Sequence, residues 1–129
     1  MKYTEHFDDK TDQKIMDGIV NEVLQNKMKI VLTELEKARK FLNVPFIISS
    51  GYRTPEHNKE IGGKPNSQHL LGYAVDFQIV GYDLKKAFEW ISHNLNYDQL
   101  IYETKGTTHW IHFSLKESNN RKQVLNLIV

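Results

Sequence analysis

Residues 67–76 of this chain have the sequence SQHLLGYAVD, and residues 109–112 have the sequence HWIH. The first half of SQHLLGYAVD has the composition of a turn, whereas AVDFQI at residues 74–79 alternates like a strand, so His69 can fold back over Asp76. With His112, these side chains can supply two imidazole nitrogens and one carboxylate oxygen, a ligand set typical of catalytic zinc with an open position. They can also be ordinary surface or hydrogen-bonding groups, because His-x6-Asp is less specific than His-Glu-x-x-His.

The surrounding sequence predicts an α+β fold with a small, mainly antiparallel sheet packed against N-terminal helices. Helical spacing of apolar residues from Ile15 to Leu42 predicts one long helix, or two with a break near residues 25–27. Strands are predicted at residues 46–49 and 74–80, with a hairpin of residues 99–103 and 110–115 around a turn at 104–107. A short helix should begin after Thr54 and stop at residues 62–63, and another should span residues 84–95.

Composition narrows the range of functions. The chain has 129 residues, a formal net charge of +1 and no cysteine. That length suits one domain, and the scattered charges give no support for a nucleic-acid partner. No stretch approaches the roughly 18 apolar residues of a membrane helix, so no membrane insertion is expected. Residues 1–9 lack the apolar core of a signal peptide, so synthesis in the cytoplasm is expected. Any metal must take nitrogen and oxygen donors.

Three motifs occur together and in order. They are Ser-Gly-Tyr-Arg at residues 50–53, Ser-x-His-x-x-Gly-x-Ala-x-Asp at residues 67–76, and Trp-x-His at residues 110–112. They resemble the motifs of the zinc D-alanyl-D-alanine carboxypeptidase and phage endolysin family, whose members share a hedgehog-like metallopeptidase core. The resemblance covers residues 46–114. It implies a single zinc peptidase-like domain over residues 1–129, with one zinc ion held by His69, Asp76 and His112.

The resemblance also implies roles for neighbouring residues. Arg53 matches an arginine that holds the substrate's carboxylate or carbonyl, for which a planar guanidinium is suited. Ser67 and Gln68 are expected to orient the site or bind the peptide.

The sequence offers two candidates for the general base. Many relatives carry a carboxylate three residues before the last histidine, where this chain has His109. Glu103, across the predicted hairpin, is the other candidate, and a carboxylate stays available beside a cation. Each can also be a plain surface residue at the end of a strand or in a loop.

These expectations favour a zinc metallopeptidase, expected to be a monomer, that hydrolyses an amide bond in peptidoglycan stem peptides. The bond would be D-Ala-D-Ala or an internal one, cleaved at the cell wall after release of the protein or as part of a virion. The alternative is a catalytically inactive, zinc-containing module for wall binding or virion structure. A regulatory protein of the same fold is a third possibility without positive support.

Overall fold

The computed structural model describes residues 1–17 and 21–129. It contains helices α1 (Glu22–Leu42), α2 (Pro55–Glu60) and α3 (Leu84–Asn94), a 3-10 turn (Gln68–Leu71), and strands β1 (Phe46–Ser50), β2 (Ala74–Ile79), β3 (Gln99–Lys105), β4 (Thr108–Ser114) and β5 (Gln123–Ile128). The strands form one sheet in the order β1-β2-β4-β3-β5. All neighbouring pairs are antiparallel except β3 and β5, which are parallel. The predicted α+β class and mainly antiparallel sheet are confirmed.

Local sequence signals set the ends of the helices. The Asn21 side chain accepts hydrogen bonds from the backbone N–H groups of Val23 and Leu24, which caps the start of α1. Asn43 ends that helix with a φ of 53° in the left-handed region. Thr54 caps α2 and Pro55 takes its first turn, as the sequence predicted. None of the described helices combines the length and apolarity that crossing a membrane requires.

The two faces of the sheet have different roles. One face carries core residues that pack with the buried face of α1, among them Val75, Phe77, Leu100, Ile111 and Phe113. The side chains that alternate with these point to the opposite face, because successive side chains of a strand alternate. Across that opposite face, Asp76 of β2 pairs with His112 of β4, and His112 pairs with Ile101 of β3. The sheet register therefore brings two residues far apart in sequence to adjacent strands.

The segment before α1 differs from the sequence prediction. Residues 15–17 are not helical: Ile15 and Met16 are buried, and Met16 forms a parallel bridge with Tyr52. Tyr52 N donates to Ile15 O at 2.8 Å, so this backbone hydrogen bond extends the end of β1 rather than a helical turn. Buried residues of a non-helical segment can show the same apolar spacing as a helix. The periodicity therefore wrongly predicted a helix at these residues. The predicted residues Ile19 and Val20 lie outside the described part of the chain. Helix α1 runs without a break through residues 25–27.

Strand β5 has no counterpart in the sequence prediction. It pairs with β3 from Gln99↔Gln123 to Thr104↔Ile128 and forms an edge of the sheet. Its Leu125 and Leu127 lie along the same cleft as His69 and Asp76. The C-terminal region thus contributes one wall beside the candidate site.

Candidate metal centre

His69 is presented by a short, well-capped turn. The Ser67 side chain accepts a hydrogen bond from the His69 backbone N–H at 3.2 Å and so caps the 3-10 turn. Gly72 closes the turn with a φ of 76°, a left-handed conformation that glycine adopts without strain. The Arg53 backbone N–H donates to His69 O at 3.0 Å, which ties the turn to the segment after β1. Ser67 therefore positions His69.

Three side chains from different elements converge on the face opposite the core. His69 Nε2 lies 3.2 Å from Asp76 Oδ1, and His112 Nδ1 lies 2.9 Å from the same oxygen. All three residues are buried, and one potential ligand atom from each lies within 4.8 Å of the others. The spacing in the sequence thus corresponds to a compact group of two nitrogens and one oxygen.

Hydrogen bonding shows that this group suits a cation. His69 Nδ1 lies 2.7 Å from the carbonyl oxygen of Gly51, which can only accept, so Nδ1 carries the proton. In neutral His69 the lone pair on Nε2 therefore faces a carboxylate oxygen, which is also an acceptor. Either a second proton on the ring or a metal ion at Nε2 resolves this opposition, and a carbonyl partner on Nδ1 is the usual outer-shell arrangement for a histidine ligand. The nitrogen and oxygen donor set is one that zinc accepts.

Asp76 remains ionised in this setting. Burial acts to raise its pKa, but the charges and hydrogen bonds of His69 and His112 outweigh burial and hold the pKa well below its ordinary value. An ionised carboxylate is the form that can bind a metal. The carboxylate therefore meets the protonation requirement of a ligand without any rearrangement.

Arg53 reaches the same carboxylate from the other side. Its Nη2 donates to Asp76 Oδ2 at 3.4 Å, its Nε to Ser50 Oγ at 3.0 Å and its Nη1 to Asn58 Oδ1 at 3.1 Å. Its side chain is only 12 % exposed. The guanidinium lies along the cleft but is already engaged, so it orients Asp76 in addition to any contact with a substrate.

Glu103 lies on the site face of the sheet. It is paired across β3 and β4 with Trp110, two residues before His112 on the same face. Burial and the charge of Asp76 raise the pKa of Glu103, while His112, the Trp110 side chain and His69 act in the opposite direction. The cleft that contains His69, Asp76 and His112 is also lined by Glu103.

His109 does not join this group. It precedes His112 by three residues and therefore points to the opposite face of β4. There its Nδ1 lies 2.8 Å from Thr104 Oγ1, and its ring lies 5.6 Å from that of Tyr102, which packs on Phe88 of α3. This placement favours Glu103 over His109 as the candidate general base, because Glu103 shares a face of the sheet with His112 and His109 does not.

Gln68 is directed inward. Its Nε2 donates to Asp98 Oδ2 at 3.0 Å, and its Oε1 is buried without a hydrogen-bond partner among the described residues. Sequence reasoning missed Asp98, which is fully buried, and Asn58, which holds Arg53 and donates from Nδ2 to Lys64 O at 3.0 Å. Neither residue belongs to a motif. An aspartate beside a predicted strand and an asparagine in a short polar helix gave no signal of burial.

An α+β sheet that presents a buried His-Asp-His group beside a carboxylate defines a metallopeptidase-like site. A family model described as Peptidase M15 matches residues 5–114, so the chain belongs to the peptidase M15 family. The match confirms the resemblance found in the three sequence motifs. Peptidases of this family are zinc-dependent hydrolases, and the buried group formed by His69, Asp76 and His112 could bind such a metal. A search of curated proteins finds no match.

Proposed function

We propose that this protein hydrolyses an amide bond in peptidoglycan stem peptides, with zinc held by His69, Asp76 and His112. The observation that carries the proposal is the position of Glu103 in the same cleft as these three side chains. A binding module needs no carboxylate beside its metal, whereas a hydrolase needs a proton acceptor there. This position supports an enzyme over an inactive wall-binding or virion module.

The reaction divides among the residues as follows. When bound, zinc supplies a water of lowered pKa and polarises the scissile carbonyl. Glu103 accepts a proton from the attacking water and returns it to the leaving amine nitrogen, so water and amide become a carboxylic acid and an amine, which ionise to carboxylate and ammonium at neutral pH. Arg53 keeps Asp76 oriented, and as a residue that lines the cleft it is placed to contact a carboxylate or carbonyl of the substrate.

The charge of the cleft supports the substrate class. Lys64, Arg121 and Arg53 line it together with two carboxylates, Asp76 and Glu103, which leaves an excess of positive charge, and the side chains of Lys64 and Arg121 are exposed. Stem peptides carry several free carboxylates, which such cationic side chains attract. We place the action of the protein at the cell wall, after release or as part of a virion. The bond is D-Ala-D-Ala for a carboxypeptidase or an internal stem bond for an endolysin.

A peptidoglycan digest tests the proposal. Purified sacculi are incubated with the zinc-loaded protein, and soluble products are identified by mass spectrometry. Release of D-alanine indicates a carboxypeptidase, and new amino termini within the stem indicate an endopeptidase. Glu103→Gln, with its zinc content verified, is the matched inactive control. If the wild-type protein holds zinc and sediments with sacculi but releases no product, the wall-binding module is the better description and the peptidase proposal is wrong.

A further inference from the structure

Asp98 joins two separate parts of the chain. This fully buried carboxylate accepts a hydrogen bond from Gln68 Nε2 at 3.0 Å. It also accepts from the Arg121 backbone N–H at 2.9 Å and from Arg121 Nη2 at 2.7 Å. A buried carboxylate is costly unless it is paired and hydrogen-bonded, and here both oxygens are satisfied. Asp98 therefore links the turn that precedes β2 to the segment that leads into β5.

The contact with Asp98 sets the orientation of the Gln68 amide. A carboxylate accepts only, so the atom of Gln68 that faces it must be the NH2 group. Gln68 Oε1 is shielded from solvent. One of the two N–H groups of the amide thus donates to Asp98, and its acceptor oxygen is not exposed to a peptide. This geometry differs from that of a substrate-binding residue, although Gln68 immediately precedes His69 in the same 3-10 turn.

Arg121, which holds Asp98, lies outside the family match, which ends at residue 114. Arg121 comes from the segment between β4 and β5, and the Gln123 backbone N–H donates to Asp98 O at 2.9 Å at the start of β5. Lys116 Nζ adds a longer contact of 3.6 Å to Asp98 Oδ1. The C-terminal region is therefore connected to the His69 turn through one carboxylate.

We propose that Asp98 and Gln68 are positioning residues of the metal centre. Arg121 fixes Asp98, Asp98 fixes the Gln68 amide, and the amide holds the turn that presents His69 to Asp76 and His112. The proposal rests on the metal-dependent function proposed above. It assigns to residues 115–128, outside the family match, a part in completing the site.

Zinc affinity measured by competition with a chromophoric chelator tests the proposal directly, without any substrate. Gln68→Met keeps the length of the side chain but removes the donor, and it should weaken zinc binding about tenfold or more, as loss of outer-shell partners does. Arg121→Met should weaken it less, and Arg121→Lys should restore part of that loss. Because both positions act through Asp98, the double variant should bind zinc more tightly than the product of the two single effects predicts.

A matched control is available in the same strand pair. Gln123→Ala removes the contact in which Gln99 Nε2 donates to Gln123 Oε1 at 2.6 Å, but leaves Asp98 and Gln68 untouched. Its zinc affinity should stay within about twofold of wild type. Circular dichroism establishes that each variant is folded. A folded Gln68→Met variant that binds zinc like wild type would overturn the proposal.

Kinetics separate positioning from substrate binding. At saturating zinc, Gln68→Met should recover most of its kcat with an unchanged KM, whereas loss of a substrate ligand would raise KM at every zinc concentration. A raised KM with normal zinc affinity would refute positioning. Wild type that binds zinc but cleaves no wall peptide would refute the peptidase instead, and weaker zinc binding by Gln68→Met would then still support the positioning role.

Discussion

His69 donates from Nδ1 to the carbonyl oxygen of Gly51 at 2.7 Å, so the end of β1 determines which imidazole nitrogen faces Asp76. Gly51 also has no room for a side chain, because a Cβ there would lie 2.2 Å from the backbone oxygen of Ile15. The glycine of Ser-Gly-Tyr-Arg is thus a point where two backbone segments meet in contact with the candidate ligand His69. Its carbonyl can be moved without altering any candidate ligand.

Gly51→Ala should therefore disturb both the fold and the metal centre. The added methyl must displace the backbone of residue 15, at a cost of about 1–3 kcal/mol in unfolding free energy. The displaced carbonyl should also weaken zinc binding by about tenfold through His69. Urea unfolding and chelator competition measure the two effects. Ile47→Ala, at a half-exposed position of the same strand, is the control and should leave zinc affinity unchanged.

Arg53→Ala should reduce kcat/KM by about a hundredfold and also weaken zinc binding, by about tenfold. The second effect follows from the contact between Arg53 and Asp76 Oδ2, which the sequence alone did not reveal. Arg53→Lys should recover only part of either loss, because an ammonium cannot contact Ser50, Asn58 and Asp76 together. Lys59→Ala, an exposed cation on α2, is the control. Wild-type turnover in Arg53→Ala would remove Arg53 from the site.

Glu103→Gln should lower kcat by about 10²–10⁴-fold and retain zinc, because the amide cannot accept the proton of the attacking water. His109→Ala should remain within about twofold of wild type, because its side chain lies on the opposite face of β4 beside Tyr102. Steady-state kinetics on a stem peptide, with metal content measured in parallel, check both. A large loss in His109→Ala together with an active Glu103→Gln would reverse this assignment.

The fold and the site were predictable to different extents. Strands β1 to β4 and helices α2 and α3 follow from alternation, caps and helical spacing, which are local properties of the sequence. Strand β5 was missed because its parallel pairing with β3 joins distant segments and leaves no local signal. The helix predicted from Ile15 failed because apolar spacing reports burial, and there the burial comes from contacts of an extended segment with the end of β1.

At the site, motif spacing identified the three candidate ligands, but it could not show what surrounds them. The engagement of Arg53 with Asp76 depends on the register of β1 and β2. The inward orientation of Gln68 depends on Asp98, a residue that belongs to no motif. Contacts of this kind join residues of different secondary-structure elements, so motif spacing along the sequence does not reveal them.

Stability should depend on the ionisation of Asp98 at low pH. Burial acts to raise its pKa, but the hydrogen bonds and charges of Arg121 and Lys116 lower it to about 2. The unfolded value is about 3.9, so ionised Asp98 stabilises the folded state above about pH 4, and this contribution is lost as the pH falls toward 2. At full strength it amounts to at most about 2 kcal/mol, since Arg121 is half-exposed and partly screened.

Urea unfolding of wild type and Asp98→Asn at a series of pH values measures this contribution. The difference in unfolding free energy should be constant from about pH 7 to 5 and should shrink as the pH falls through the range of about 4 to 2. Asp83→Asn, which changes an exposed helix cap, serves as the comparison. A difference that persists unchanged at low pH would mean that Asp98 acts through shape rather than charge.

Metal content gives the most direct test of the centre. The purified protein should hold about one zinc ion, removable by a chelator, because two nitrogens and one oxygen converge at the wall of a cleft. His69→Ala, Asp76→Ala and His112→Ala should each abolish binding or weaken it by orders of magnitude, as measured by elemental analysis after dialysis. His93→Ala is the matched control, since that exposed imidazole hydrogen-bonds within its own helix. Stoichiometric zinc in two of the three ligand variants would refute the assigned ligand set, whereas its loss in all three with retention in His93→Ala would support it.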